Sequence, residues 1–301
     1  MTAPRVVTTR AQLAEALGTP PRRAVVMTMG ALHAGHLSLV RRARELADQV
    51  VVTVFVNPLQ FGPREDLEKY PRDLARDLEL LAAAGADLVF APDVGEMYPE
   101  GEPLVRVSAG PLGDILEGAH RPGHFDGVLT VVLKLMHLVE PDVALFGQKD
   151  AQQVMAVRRM VHDLDVGVEV ATAPTVRDDD GVALSSRNAY LTSDERVTAR
   201  ALSRGLRAAE AAAEAGGTAS QVHGAAVDTI GAEPGLVVDY VALVDPSSGA
   251  DVPGDHRGPA LLVVAARVGN TRLIDNVPMV LVTGDAHLVD PPQVDPHEED
   301  R

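Results

Sequence analysis

The sequence predicts an α/β protein in which a doubly wound, Rossmann-like parallel sheet is followed by a smaller α+β domain. In the first half of the chain, short apolar runs rich in β-branched residues alternate with segments of helical periodicity, as in parallel sheets covered by helices. In the second half, helices come first and strands follow without alternation. We therefore predict a first domain over residues 1–175 and a second over residues 176–284.

The predicted strands of the first domain are short apolar runs, and the predicted helices carry apolar residues three and four positions apart. The strands are predicted over residues 24–29, 50–56, 87–91, 142–146 and 166–171. The helices are predicted over residues 37–47, 73–84, 128–138 and 151–163. Ligands are expected at the carboxyl ends of such strands.

The second domain is predicted to begin with two helices. Residues 192–195, Thr-Ser-Asp-Glu, match a capping box, and the helix after them carries Leu202, Leu206 and Ala209 on one side. A second, alanine-rich helix is predicted after the glycine pair at 216–217. Strands are then predicted over residues 236–244, 261–268 and 277–282.

Composition excludes several classes of function. The net charge of −16 argues against a nucleic-acid partner, which normally requires a broad basic surface. The chain has no cysteine, so disulfides and thiolate chemistry are excluded. It has neither an apolar run long enough to span a membrane nor a recognisable secretion signal, so a cytoplasmic location is expected. Prolines and acidic residues predict a disordered tail over residues 285–301.

Residues 29–36, Met-Gly-Ala-Leu-His-Ala-Gly-His, join a predicted strand to a predicted helix. A helix that begins here directs unpaired backbone N–H groups towards a ligand above the strand end, and Gly30 and Gly35 allow that ligand to approach closely. His33 and His36 are three residues apart and project from the same side of a helix. The pattern predicts a phosphate site with a histidine on each side of the ligand.

Two other interpretations of this motif remain open. The histidines could be ordinary polar residues at a helix N-terminus, or they could bind a metal, although the chain lacks an H-E-x-x-H motif and an obvious third ligand nearby. A Walker-type phosphate loop is excluded, because none of the lysines, Lys69, Lys134 and Lys149, follows a glycine.

Five further segments stand mainly at predicted strand ends or near the domain junction. They read Asn-Pro-Leu-Gln-Phe at 57–61, Glu-Gly-Ala-His-Arg-Pro-Gly-His-Phe-Asp-Gly-Val at 117–128, Phe-Gly-Gln-Lys-Asp-Ala-Gln-Gln at 146–153, Leu-Ser-Ser-Arg-Asn at 184–188 and Thr-Arg-Leu-Ile-Asp-Asn at 271–276. In this order, together with residues 29–36, they resemble the pantothenate synthetase family over about residues 20–283. The H-x-G-H motif alone marks a whole superfamily of nucleotidylyl transferases and class I tRNA synthetases, whereas the ordered set is far narrower.

The resemblance implies an ATP-dependent acid–amine ligase. Pantoate would attack the α-phosphorus of ATP to give pantoyl adenylate and pyrophosphate, and β-alanine would then displace AMP to give pantothenate. No enzyme nucleophile is needed, which agrees with a chain that has neither cysteine nor a Ser/His/Asp signature. The resemblance further implies magnesium as the ATP complex, no organic prosthetic group, no metal held by the protein, and a homodimer formed through the larger domain.

The resemblance also implies roles for individual residues. His36 would be the proton donor, and His33, Lys149 and Arg187 would act with it on the phosphates. Gln60 and Gln153 would bind pantoate beside the β-alanine site, with help from Asn57. The implied ATP contacts are listed together: Met29, Gly30, His33, Gly35, His36, Gly147, Lys149, Asp150, Val176, Leu184, Ser185, Ser186 and Arg187. Arg121 and His124 could serve either loop packing or substrate binding.

The chain departs from the family pattern at two places. Met27 stands where relatives commonly have proline, but only its backbone is expected to line the pantoate pocket. Some relatives have an acidic pair and a glutamine, proposed to bind magnesium, where this chain has Arg76, Asp77 and Leu80. The resemblance therefore does not extend to a protein-held magnesium at that place.

Two competing functions make different predictions. An adenylyl transferase acting on a phosphorylated acceptor would need only the H-x-G-H motif, and it leaves Gln60 and Gln153 without a purpose. A non-catalytic nucleotide sensor would need affinity for ATP but not the full set of His33, His36, Lys149 and Arg187.

Overall fold

A computed structural model describes residues 3–62, 67–68 and 70–282. Its first part is a six-stranded, all-parallel sheet. The strands are β1 (Arg5–Val7), β2 (Arg23–Thr28), β3 (Gln49–Val54), β4 (Leu88–Phe90), β5 (Val143–Gly147) and β6 (Glu169–Ala173). Their order across the sheet is β1-β4-β3-β2-β5-β6. The helices of this part are α1 (Arg10–Leu17), α2 (Ala34–Leu46), α3 (Leu74–Ala84), α4 (Val94–Met97), α5 (Glu117–His120), α6 (His124–Val139) and α7 (Ala151–Asp163).

The second part is a three-stranded antiparallel sheet with two helices against it. Its elements are α8 (Ser193–Glu214), α9 (Ala219–Gly231), β7 (Leu236–Val244), β8 (Gly258–Val268) and β9 (Thr271–Leu281). Thr192 and Glu195 form the predicted capping box at the start of α8. The fold class is confirmed: a doubly wound parallel sheet is followed by a smaller α+β unit.

The central strands are apolar throughout because helices cover both faces of the sheet. Val25 and Val51 belong to the core cluster that also contains residues of α1 and α6, whereas Val26 and Val52 belong to the cluster that contains residues of α2. Successive strand residues point to opposite faces, so a two-sided core requires a continuous apolar run. A separate cluster of buried residues lies between α8, α9 and the antiparallel sheet.

Some predicted boundaries were wrong. The strand predicted at 166–171 is β6, which begins only at Glu169, because Asp165 has a φ of 50° and the Val166 N–H bonds to the Val161 carbonyl in a turn after α7. The last strand begins at Thr271 rather than 277, since its polar first half pairs with β8 as regularly as its apolar second half. Neither β1 nor α1 was predicted.

The predicted domain limits remain predictions, and the tail predicted over 285–301 lies outside the described residues. Among the residues that the structure describes, no helix has both the length and the apolar character needed to cross a membrane.

Candidate active site

A cleft of about 680 Å³ opens at the carboxyl edge of the parallel sheet. The chain runs from β2 outward to β3 and β4 on one side, and from β5 to β6 on the other, so β2 and β5 flank the point where the strand order reverses. Ligands bind at this point in doubly wound sheets. Here the loop after β2, the first turn of α2 and the turn after β5 supply His33, His36 and Lys149 to the cleft wall.

His33 and His36 are held by the helix start that they cap. The Nδ1 atom of His33 accepts from the Gly35 N–H at 3.2 Å, and the Nδ1 atom of His36 accepts from the His33 N–H at 3.3 Å. A neutral imidazole whose Nδ1 accepts must carry its proton on Nε2. Both rings therefore retain one N–H donor that is not used by the cap.

Electrostatics keep both histidines neutral. Burial, together with the neighbouring His33 and Lys149, lowers the pKa of His36 to about 4. Burial and Lys149 also lower the pKa of His33. At neutral pH the pair therefore offers two N–H donors without adding positive charge.

Asp77 fixes the loop between β2 and α2 from below. Its two carboxylate oxygens accept the N–H groups of Ala31 at 3.0 Å and Leu32 at 2.9 Å, and its side chain is almost fully buried. Ala31 has a φ of 54°, which is costly for a residue with a Cβ and needs such support. Both oxygens of Asp77 are thus engaged with the loop.

The turn after β5 carries the cleft's lysine. The Nζ atom of Lys149 lies 3.7 Å from Oδ1 of Asp150. Desolvation in the cleft acts to raise the pKa of Asp150, but Lys149 and Arg187 outweigh it and hold that pKa below its ordinary value. Asp150 is therefore a carboxylate, and it partly offsets the positive charge of the site.

A second wall comes from the segment that follows β6. Leu184 donates its N–H to the Val176 carbonyl at 2.9 Å, and Arg177 and Ala183 form an antiparallel bridge, so this segment folds back on itself. A short 3-10 helix, Ser186–Tyr190, follows and is capped by the Ser185 hydroxyl. The fold brings Arg187 into the same cleft as Lys149.

Gln60 is held by a network on the opposite side of the cleft. Its Oε1 accepts from Asn57 Nδ2 at 3.1 Å, and its carbonyl lies 2.8 Å from the Nδ1 atom of His124. Arg121 Nη1 lies 2.8 Å from the Nε2 atom of the same histidine. Arg121 and His124 therefore pack against the loop that contains Gln60, and both also line the cleft.

The second sheet closes against this region through a partly buried ion pair. Arg272 of β9 donates to both oxygens of Glu117 in α5, at 2.6 and 2.7 Å, and Tyr240 of β7 donates to one of them at 2.7 Å. Burial acts to raise the pKa of Glu117, but Arg272 outweighs it and lowers that pKa. The carboxylate therefore joins the two parts of the molecule as an anion.

Comparison with known proteins gives one consistent result. The family model described as pantoate–β-alanine ligase matches residues 5–278. Pantothenate synthetase of Salinispora arenicola is 56% identical over 279 residues, covering 92% of this chain and 98% of that protein. The Streptomyces avermitilis pantothenate synthetase is 53% identical over 308 residues, covering 86% of this chain and 92% of that protein.

Solved structures agree. A crystal structure of pantothenate synthetase from Thermus thermophilus superposes with a TM-score of 0.85 at 50% identity, and covers 91% of this chain and 98% of that one. The Francisella tularensis pantoate–β-alanine ligase gives 0.72 at 33% identity, with 91% and 97% coverage. The chain belongs to the pantoate–β-alanine ligase family.

Family membership makes this chain an acid–amine ligase and does not favour the adenylyl transferase alternative. Nearly all of the residues predicted for the ligase site line the one cleft: Met29, His33, Gly35, His36, Gln60, Gly147, Lys149, Asp150, Gln153, Val176, Leu184, Ser185, Ser186 and Arg187. Met27 lines it as well.

Gly30 and Asn57 do not line the cleft of this ligase. Gly30 has a φ of 81°, and a Cβ there would lie 3.0 Å from the Asp77 carboxylate, so the loop itself requires glycine. Asn57 is buried and orients Gln60. Sequence reasoning missed the structural role of Asp77, because its two partners lie about 45 residues earlier in the chain.

Proposed function

We propose that this ligase activates pantoate on ATP within the cleft. A carboxylate oxygen of pantoate attacks the α-phosphorus, the bond from that phosphorus to the β-phosphate oxygen breaks, and pyrophosphate leaves. The β-alanine nitrogen then attacks the acyl carbon, AMP leaves with the bridging oxygen, and the amine loses a proton. The observation that carries the proposal is the neutral histidine pair facing Lys149 and Arg187 across one cleft.

The phosphate residues would act by stabilising charge. Negative charge builds on the α-phosphate and on departing pyrophosphate, where preorganised N–H donors and cations are most effective. The Nε2–H groups of His33 and His36 serve the α-phosphate, while Lys149 and the planar Arg187 serve the leaving group. Because His36 is neutral, its proton-donor role would be that of a hydrogen-bond donor: its Nε2–H would be shared with a phosphate oxygen as charge develops and would stay on the ring, since full transfer would leave an imidazolate.

The remaining ATP contacts would come from the cleft wall around these four residues. Met29, Gly35, Gly147, Asp150 and Val176 would line the nucleotide on the side of the parallel sheet. Leu184, Ser185 and Ser186 would cover it from the other side. Gly30 would contribute through the shape of its loop.

Pantoate would lie between Gln60 and Gln153, whose neutral amides match its hydroxyl groups. Asn57 would position the Gln60 amide, and β-alanine would enter beside the same pair. The Francisella tularensis ligase has been crystallised with a β-γ ATP compound and β-alanine, which supports both as ligands of this cleft.

Magnesium would enter with ATP, held by phosphate oxygens and water. Asp77, in the stretch where some relatives are proposed to hold magnesium, uses both of its oxygens on the loop after β2. We also propose a cytoplasmic location, where ATP is available, and a homodimer formed through the larger domain.

The test is exchange of labelled pyrophosphate into ATP. We expect exchange that requires pantoate but not β-alanine, and AMP as the nucleotide product of the complete reaction. His36→Ala should slow exchange by about 100- to 1000-fold, the usual effect of removing a preorganised donor, while ATP affinity changes far less.

The exposed His137 on α6 provides the matched control, and His137→Ala should leave exchange unchanged. Release of ADP, or exchange that does not need pantoate, would contradict the reaction. Unchanged exchange in His36→Ala would contradict only the role of that histidine.

A further inference from the structure

The side chain of Asn276, in the second sheet, is hydrogen-bonded to the turn that contains Lys149. Its Nδ2 atom donates to the carbonyl of Gln148 and to the carbonyl of Lys149, both at 2.9 Å. Its Oδ1 atom accepts from the Gln148 side chain at 3.2 Å. Backbone carbonyls can only accept, so the orientation of the Asn276 amide is fixed by its partners.

Asn276 is itself held rigidly. Its side chain is almost fully buried, and its N–H donates to Oδ1 of Asp275 at 2.8 Å. The same Asp275 carboxylate accepts two hydrogen bonds from Arg177, at 2.5 and 2.9 Å. Bidentate pairs of this kind are strong and geometrically specific. The turn that contains Lys149 is thus hydrogen-bonded to an Asn276 side chain whose own position is fixed by its neighbours.

The contact is unusual in its position. Lys149 follows β5 of the parallel sheet, whereas Asn276 lies on β9, 127 residues later in the chain. Two hydrogen bonds from one side chain fix successive carbonyls and so restrict the backbone dihedrals of the turn. The direction in which the Lys149 side chain leaves that backbone follows from those dihedrals.

We infer that Asn276 is a positioning residue, which places the ammonium group of Lys149 for the adenylation step. The position of Lys149 then depends on how the second sheet packs against the parallel sheet. The inference rests on the proposed role of Lys149 at the phosphates. Asn276 does not need to touch a substrate, since it acts through the turn. A misplacement of about 1 Å at a reacting centre can cost about 100-fold in rate.

The experiment is a double-mutant cycle on pantoate-dependent pyrophosphate exchange in the full-length enzyme. Asn276→Ala should lower the rate constant for exchange by about 10- to 100-fold while the KM for ATP changes less than about threefold. In a Lys149→Ala background the same substitution should lower the rate constant by less than about twofold, because the group that it positions is gone. Additive effects in the cycle would overturn the inference.

Two further variants keep the test decisive. Asn276→Asp preserves the shape but faces a carboxylate oxygen towards the two carbonyls, so it should be at least as slow as Asn276→Ala. Thr271→Val changes a buried polar side chain elsewhere on β9, and exchange should stay within about twofold of the unmodified enzyme. If Thr271→Val slowed exchange as much as Asn276→Ala, a general loss of sheet packing would explain both.

The controls also separate this inference from the proposed function. An unmodified enzyme without pantoate-dependent exchange would contradict the function itself. A Lys149→Ala variant with normal exchange would contradict the role of Lys149 and, with it, the inference about Asn276.

Discussion

At the scale of single residues, the two cleft histidines cap a helix and keep one N–H donor each for the proposed ligand. Their Nδ1 atoms cap the start of α2, and this leaves Nε2–H groups for a ligand. The three-residue spacing predicted a shared site, and it even left open a capping role. It could not predict that capping leaves an Nε2–H donor on each ring, because that depends on which ring nitrogen meets which backbone N–H.

His36 should make the stability of the enzyme depend on pH. Its pKa is about 4 in the folded chain, against about 6.5 in an unfolded one. As pH falls from 6.5 to 4, the unfolded state therefore gains a proton that the folded state does not, and stability is lost. Above pH 6.5 the contribution is fully present.

The measurement is urea unfolding at pH 7 and pH 4.5. Between these values His36→Gln should lose about 2 kcal/mol less free energy of unfolding than the unmodified enzyme. His137→Gln, at an exposed position, should follow the unmodified enzyme. The same loss in His36→Gln and the unmodified enzyme would contradict the partly buried, neutral state of His36.

At the scale of elements, the contact between α6 and the short 3-10 helix Pro58–Gln60 places Gln60. Gly127 of α6 makes this contact possible, since a Cβ there would lie 2.2 Å from the Leu59 carbonyl oxygen. The Gly127 carbonyl also accepts from Asn57, the residue that orients the Gln60 amide. A single helix position therefore fixes the backbone and the side chain of this part of the site.

Gly127→Ala should destabilise the enzyme by about 1–3 kcal/mol, because overpacking outweighs the gain in helix propensity. It should also raise the KM for pantoate, since the Gln60 backbone must move. Gly224 in α9 is the matched control, because a Cβ there meets nothing within 4 Å and alanine should be neutral or stabilising. Urea unfolding and steady-state kinetics on both variants would check this. Equal behaviour of the two would show that the Gly127 contact is not tight.

Elements were predictable where local chemistry decides them. Both ends of α7 and the start of α8 follow from apolar periodicity and, for α8, a capping box. The start of β6 was mispredicted because Val166 and Val168 look like strand residues but pack on the core from a turn. In β9, pairing with β8 extends the strand over polar residues that lack a strand pattern.

At the scale of the whole molecule, long-range contacts carry what the sequence could not reveal. The motifs predicted which residues share a cleft, and the cleft contains almost all of them. The contact between the two parts of the molecule depends on pairs such as Glu117 and Arg272, which are 155 residues apart. No local sequence pattern identifies such partners, so the contact between the two parts of the molecule can be identified only from the structure.

The proposed homodimer makes a prediction about the surface of the larger domain. Leu104 and Val105 are 102% and 87% exposed, on a segment without helix or strand, and adjacent exposed apolar side chains of this size are typical of an interface. In a symmetric dimer each substitution acts twice. Replacing both by aspartate should therefore weaken association by more than about 100-fold, as expected when buried apolar area becomes charged.

Sedimentation equilibrium should show a dimer for the unmodified chain and a monomer for the double variant. Val237, 62% exposed on β7 of the second sheet, is the matched control, and Val237→Asp should remain dimeric. A monomeric unmodified chain would contradict the dimer, and a double variant that stays dimeric would move the interface elsewhere on the larger domain.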